Sequence, residues 1–128
     1  MFTIEQIQSA HSKVKSGADF PKYIQEIKAL GVTSYETYVE DGRTDYKGLG
    51  YSVSSDSKYD NLNVAGQSNR EQFKQDLKAH QQGRTDYPTF CSDCAKTGVE
   101  KWIVKMDSMT CAYFDKQGNE LLVELIPH

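Results

Sequence analysis

The sequence lacks the features that mark a secreted or membrane-spanning protein. Its first residues, Met1-Phe2-Thr3-Ile4-Glu5, place a charge at the fifth position and contain no apolar run, so neither a signal peptide nor a membrane span is predicted. Cysteine is scarce and odd in number, at three residues, which without a secretory signal predicts reduced thiols and no disulfide. A cytoplasmic protein is therefore expected.

The sequence also lacks an excess of positive charge. Lysine and arginine number 15 against 18 aspartates and glutamates, and the net charge of -3 provides no broad positive field for a phosphate backbone. Neither nucleic acid nor a membrane is therefore expected as a partner.

Catalytic motifs are missing as well. The glycines are spread among turns and helix ends, and no phosphate-binding glycine loop, Ser-His-Asp arrangement or metalloprotease helix is visible. Glu36 with Glu40, or Asp41 with Asp45, could act as paired carboxylates, although solvated strands and turns routinely carry such residues. The sequence thus predicts no catalytic residue and no cofactor, favours a non-enzymatic protein and leaves enzymatic activity undecided.

What the sequence does contain is enough apolar material for one folded domain. Hydrophobic residues make up 38% of its 128 residues and charged residues 26%, a composition typical of a globular chain. We therefore predict a single domain over residues 1–128.

The apolar pattern predicts two helices followed by antiparallel strands. Thr3 and Gln6 have the spacing of a capping box at the start of a first helix, and Pro21 opens a second one. Strand residues from 32 to 40 then lead into a turn at Asp41-Gly42 and a return strand. The series begins again with a capping box at Ser68 and Glu71.

The two series align at a constant offset of 67 residues (88 minus 21). Phe20-Pro21-Lys22-Tyr23 recurs as Tyr87-Pro88-Thr89-Phe90, Gly31-Val32 as Gly98-Val99, and Tyr35 as Trp102. We therefore predict an internal pseudo-repeat of approximately 1–66 and 67–128. The predicted fold is α+β in two layers, with the duplicated helices packed on an antiparallel sheet.

Cys91 and Cys94 have the two-residue separation of redox and zinc sites. In the repeat they stand where the first half has Ile24 and Ile27, on the inner face of the equivalent helix, so buried packing is the favoured interpretation and no metal site is predicted. The alternative is a thiol or zinc site that uses Cys91, Cys94 and Cys111, with His80 as the fourth ligand.

His11 and His80 stand at matching positions of the first helix in each half. Each lies on an apolar helical stripe, which favours ring packing and one hydrogen bond over proton transfer or metal binding.

Tyrosine is abundant, with eight residues, and a glycine-aromatic segment spans residues 46 to 51. Tyrosine offers a large contact area at a small entropic cost while its hydroxyl stays hydrated. We predict a surface for a partner or ligand that is formed by Tyr35, Tyr38, Tyr46 and Tyr51.

Several of these segments resemble the YdfO-like family of small bacterial proteins. The resemblance rests on Phe20-Pro21-Lys22-Tyr23-Ile24, Leu30-Gly31-Val32, Asp86-Tyr87-Pro88-Thr89-Phe90-Cys91 and Gly98-Val99-Glu100-Lys101-Trp102, and it covers essentially the whole chain. It implies an α+β fold and a bacterial or prophage origin. Members are often labelled "phage envelope protein", their function is unknown, and the resemblance implies no catalytic residues.

Three functional hypotheses follow. The first is a non-enzymatic binding or regulatory accessory protein, a monomer or dimer, whose partner is an unknown protein or small ligand. The second is the thiol or zinc site. The third is a structural component of a phage, which would self-assemble.

Overall fold

The structure is α+β, as predicted. The computed structural model describes residues 2–14 and 19–126, and none of its described helices is long and apolar enough to cross a membrane. The helices are α1 (Ile4–His11), α2 (Phe20–Leu30), α3 (Arg70–Gln81) and α4 (Tyr87–Lys96). The strands are β1 (Ser34–Tyr38), β2 (Thr44–Gly48), β3 (Tyr51–Ser54), β4 (Lys101–Lys105), β5 (Thr110–Phe114) and β6 (Glu120–Leu125).

The six strands form one antiparallel sheet in the order β3-β2-β1-β4-β5-β6. In each half, two helices precede three strands that follow one another as hairpins. β1 and β4, which open the two strand series, are neighbours at the centre. The two halves therefore share one continuous sheet.

The strand pairing has the same register in both halves. Tyr35 pairs with Tyr46 in the first half, and Trp102 pairs with Tyr113 in the second. All the remaining pairs between β1 and β2 likewise have counterparts between β4 and β5 whose residue numbers are 67 higher. The offset in the sequence thus corresponds to equivalent places in the sheet.

The helices cover one face of the sheet. Because successive strand residues point to opposite faces, alternate side chains face the helices, and those on the central strands are buried: Tyr35, Thr37, Tyr46, Trp102, Val104, Cys111 and Tyr113. The helices contribute Ile7, Tyr23, Ile24, Ile27, Phe73, Leu77, Phe90 and Cys94 to the same core. Side chains of the opposite face are half-buried or exposed, and we call this surface the open face.

Capping side chains fix where the helices begin. Thr3 and Gln6 form the predicted capping box, in which each backbone N–H donates to the other side chain. The box predicted at Ser68 and Glu71 is wrong, because the cap is Asn69, whose side chain accepts a hydrogen bond from the Gln72 N–H at 3.2 Å. Asparagine is at least as good a cap as serine, so the helix starts one residue later.

Candidate functional site

A groove of about 790 Å³ lies at the end of the sheet where β1 begins and where β2 and β4 end. The C-terminal turn of α2 forms one wall, and the β2–β3 and β4–β5 turns form the others. Its lining includes Lys28, Leu30, Leu49, Tyr51, Lys105 and Met106. The groove is open along its length, a shape that suits an extended chain segment better than an enclosed small molecule.

The β2–β3 turn places Leu49 at the rim of this groove. Leu49 and Gly50 form a two-residue connection, since Gly48 pairs directly with Tyr51. Gly50 has φ +80°, a left-handed conformation that glycine adopts without strain. The Leu49 side chain is 90% exposed, although it borders the same groove as the apolar side chains of Leu30 and Met106. We call this site the Leu49 groove.

Gly48 holds the turn close to the rest of the fold. A Cβ atom at this position would lie 2.8 Å from the Phe2 ring and 3.1 Å from the carbonyl oxygen of Gly31. Only glycine permits that approach, because real Cβ atoms do not come so near to other heavy atoms. The position of Leu49 is therefore set by packing beneath the turn.

Tyr51 fixes the same wall through its ring and its hydroxyl. The hydroxyl accepts a hydrogen bond from the backbone N–H of Phe2, and the two ring centroids lie 4.6 Å apart. Tyr51 is half-buried, so the groove receives only part of its side chain.

The Leu49 groove carries a surplus of positive charge on a chain of net charge -3. Lys28 and Lys105 both line it and are both exposed, whereas Asp107 is its one acidic residue among the described lining. Neither lysine forms an ion pair with another described residue. Their ammonium groups are available to a carboxylate on a ligand.

The four tyrosines predicted to form one surface lie in different places. Tyr35 and Tyr46 are each 6% exposed and pack against each other beneath the helices, with ring centroids 5.5 Å apart. Tyr38 lies on the open face under the guanidinium of Arg43, which is 4.6 Å from its ring centroid. Tyr51 is the member that borders the groove.

The prediction that the cysteines are buried is confirmed. Cys91, Cys94 and Cys111 are unpaired thiols, each less than a tenth exposed, and Cys91 and Cys94 occupy α4 as Ile24 and Ile27 occupy α2. Burial raises the pKa of Cys111 to about 12 and also raises the pKa of the other two thiols. All three are protonated near neutral pH, which makes them poor nucleophiles.

The side chains of the alternative zinc site, Cys91, Cys94, Cys111 and His80, do not lie close enough together to bind a metal ion. Within residues 2–14 and 19–126, no three His, Cys, Asp or Glu side chains are close enough to hold a metal ion. His80, the fourth ligand of that set, stacks on Phe90 with ring centroids 4.5 Å apart, and its Nδ1–H donates to the carbonyl oxygen of Thr85 at 3.1 Å.

His11 makes the equivalent ring contact in the first half. Its ring meets the Tyr23 ring edge-on, with centroids 5.3 Å apart. Partial desolvation, followed by the positive charge of Lys58, lowers the pKa of His11. His80 packs its ring and forms one hydrogen bond, as the sequence predicts, whereas His11 keeps the ring contact but lies on the exposed surface.

A family model described as a protein of unknown function (DUF1398) matches residues 8–125 of the sequence, which is nearly the whole chain. The chain belongs to the DUF1398 family. A comparison with curated proteins finds no match.

A second cluster in this DUF1398 chain, which the sequence did not indicate, surrounds Cys91. Tyr59 and Tyr87 are its neighbours, and the Tyr59 hydroxyl donates to the carbonyl oxygen of Val39 at 2.6 Å. Burial raises the pKa of Cys91, although the two tyrosine hydroxyls and the charge of Lys58 act in the opposite direction. The cluster joins α4 to the segment between the two halves, and it presents no activated nucleophile.

Most residues of the Leu49 groove were not singled out from the DUF1398 sequence. Leu49 falls inside the glycine-aromatic segment, where an apolar residue between two glycines is a recognisable signal of an exposed turn. Lys28, Lys105 and Asp107 carry no such signal, because they come from elements far apart in the chain.

Proposed function

We propose that this protein is a non-enzymatic binding or regulatory accessory protein, and that it binds a segment of a partner protein in the Leu49 groove. The observation that carries the proposal is the 90% exposure of Leu49 beside an apolar groove of about 790 Å³. Burying a leucine side chain contributes about 1.5–3 kcal/mol, so a partner that covers Leu49 gains affinity from this one residue.

The chemistry of the groove favours a partner segment that combines an apolar side chain with carboxylates. Leu30 and Leu49 offer apolar contacts, and the ammonium groups of Lys28 and Lys105 flank them. Attraction between exposed charges is screened by salt. Binding should therefore weaken, without being lost, as the ionic strength rises.

Labelled short peptides of alternating acidic and apolar residues test this proposal by fluorescence polarisation. We expect saturable binding to the full chain and little binding of matched peptides in which lysine replaces each acidic residue. Leu49→Ser should weaken binding by about tenfold, since about 1.4 kcal/mol of lost burial corresponds to that factor. Lys28→Glu should weaken it further at low salt.

Leu125→Ser is the matched control. Leu125 is also an exposed leucine, 81% accessible, but it lies on the edge strand β6, two strands away from Lys105, and does not line the groove. It should leave peptide binding unchanged. Equal affinity of the wild type and the Leu49→Ser variant for every peptide would refute the groove as the binding site.

The proposal also covers the origin of the gene, the compartment of the protein and the origin of its two halves. The resemblance to YdfO-like proteins supports a bacterial or prophage gene and a cytoplasmic product. The common registers of the two halves support an origin of the single domain by duplication of a helix-helix-strands unit.

A further inference from the structure

The open face is divided into a polar half and an apolar half. Its strand pairs place Ile103 beside Ala112, and Ala112 beside Val123. Phe114 and Leu125 lie on the same face in the flanking rows. Val123 is 44% exposed and Leu125 is 81% exposed. We call these five residues the apolar panel.

The first half of the chain carries polar side chains at the equivalent positions of the sheet. Residue numbers 67 lower than Ile103, Ala112 and Phe114 are those of Glu36, Asp45 and Lys47, which occupy the equivalent places of β1 and β2. These polar side chains satisfy one another or their neighbours: Glu36 lies 3.9 Å from Lys47, and Asp45 accepts a hydrogen bond from Ser54 at 2.7 Å.

Folding therefore does not require apolar residues at these sheet positions. The same backbone pairing is made with charged residues in one half and with apolar ones in the other. A contiguous apolar surface on an otherwise solvated face is the usual mark of an interaction site.

We infer that the apolar panel is a self-association surface, on which a second copy of this chain packs face to face about a two-fold axis parallel to β5. Such an axis places β5 on β5 and β4 on β6 of the second copy. Rotation about this axis keeps each row of paired residues opposite the same row of the second copy. Ile103 then faces Val123 of the second copy, and Phe114 and Ala112 face their own counterparts.

The charges on the rim match in the same arrangement. Lys101, Phe114 and Glu120 lie in one row, so Lys101 of each copy, which also pairs with Glu36 of its own chain at 3.2 Å, faces Glu120 of the other. The match occurs twice, once on each side of the axis, as a two-fold interface requires. In the row at the other end of the panel, Leu125 faces Lys105 of the second copy, whose aliphatic stem can cover a leucine side chain. A second copy thus supplies an apolar surface to the central row and opposite charges to one rim.

The size of the panel sets the expected strength. Three strands about 4.8 Å apart and roughly 17–20 Å long form a patch of about 250–290 Å² on each copy, roughly a third of what a stable specific interface buries per partner. We therefore expect a weak, reversible dimer with a Kd on the order of 100 μM. The polar halves of the two sheets would extend beyond the contact in opposite directions.

Sedimentation velocity of the full chain between about 1 μM and about 1 mM tests the inference. The wild type should shift from monomer to dimer across this range. Leu125→Lys should shift the midpoint by tenfold or more, because it buries a charge against the partner. Ser52→Lys, which adds the same charge to the polar half of the same face, should leave the midpoint unchanged. A wild type that stays monomeric, or an equal midpoint for Leu125→Lys, would overturn the inference.

Disulfide capture tests the geometry separately. Ala112 lies next to the axis and faces its own counterpart, so Ala112→Cys should form a cross-linked dimer under mild oxidation, while Ser54→Cys in the same row of the polar half should not. Cross-linking of both variants to the same extent would exclude this arrangement. The Leu49→Ser variant should dimerise as the wild type does, so failure of either proposal leaves the other standing.

Discussion

Gly98 should tolerate alanine much less well than Gly31, although the two glycines occupy equivalent positions. Both follow a helix with positive φ, +109° at Gly31 and +83° at Gly98. At Gly98 an added Cβ would lie 2.7 Å from the carbonyl oxygen of Gln67 and 2.7 Å from the Cα of Ser68. At Gly31 its nearest neighbour is a Phe2 ring atom at 3.9 Å, an ordinary contact.

The difference between the two variants isolates one packing effect. A left-handed non-glycine residue costs roughly 1–2 kcal/mol at either position. Overpacking against backbone, which cannot rotate away, adds about 1–3 kcal/mol at Gly98 alone. We therefore expect Gly31→Ala to lower the free energy of unfolding by about 1–2 kcal/mol, and Gly98→Ala to lower it by about 2–5 kcal/mol.

Urea titration followed by tryptophan fluorescence measures both losses. The chain has a single tryptophan, Trp102, which is buried under the helices and therefore reports unfolding of the core. Losses that agree within about 0.5 kcal/mol, the limit of additivity for such measurements, would show that the segment preceding α3 does not pack on Gly98, and would refute this account of how the halves are joined.

Three further predictions concern the buried thiols and a helix cap. Iodoacetamide should label Cys91, Cys94 and Cys111 only as fast as the protein opens, so stoichiometric labelling of the native chain in minutes, seen by mass spectrometry, would contradict their burial. Because burial raises the pKa of Cys111 to about 12, its thiol ionises at lower pH in the unfolded state than in the folded state. The free energy of unfolding should therefore fall by up to about 1.4 kcal/mol per pH unit above about pH 9. Urea titrations from pH 8 to 10 should show a shallower fall for Cys111→Val than for the wild type. Asp86, whose side chain accepts from the Thr89 N–H at 2.9 Å, caps α4, so Asp86→Ala should cost about 1 kcal/mol in thermal unfolding, and an unchanged Tm would refute the cap.

The helices and the fold class could be predicted because their signals are local. Capping residues and prolines at helix starts fix where α1 to α4 begin within a residue or two, as the one-residue error at Asn69 shows. β3 was not delimited, since Tyr51–Ser54 alternates weakly and is followed by a long polar segment. Its place at the sheet edge depends on pairing with β2, which a local pattern does not encode.

The binding surface was harder to predict because it depends on which face each strand residue occupies. Tyr35 and Tyr38 are three residues apart, so the two-residue period of a strand puts them on opposite faces, and burial of the first excludes a common surface. The sequence shows that Tyr35 and Tyr38 point to opposite faces of β1. It does not show which of the two faces packs against the core, since each face carries a tyrosine.

The two halves agree where they face the helices and differ where they face solvent. Corresponding ring contacts occur in the two helix pairs, His11 edge-on to Tyr23 and His80 stacked on Phe90, because Tyr23 and Phe90 hold the same buried position in each half. On the open face that constraint is absent, and the second half carries apolar residues where the first half carries charged ones. Polar residues are the usual occupants of a solvated face, so packing within one chain does not account for the apolar panel. A requirement outside the folded monomer would account for it, and the self-association proposed above supplies such a requirement.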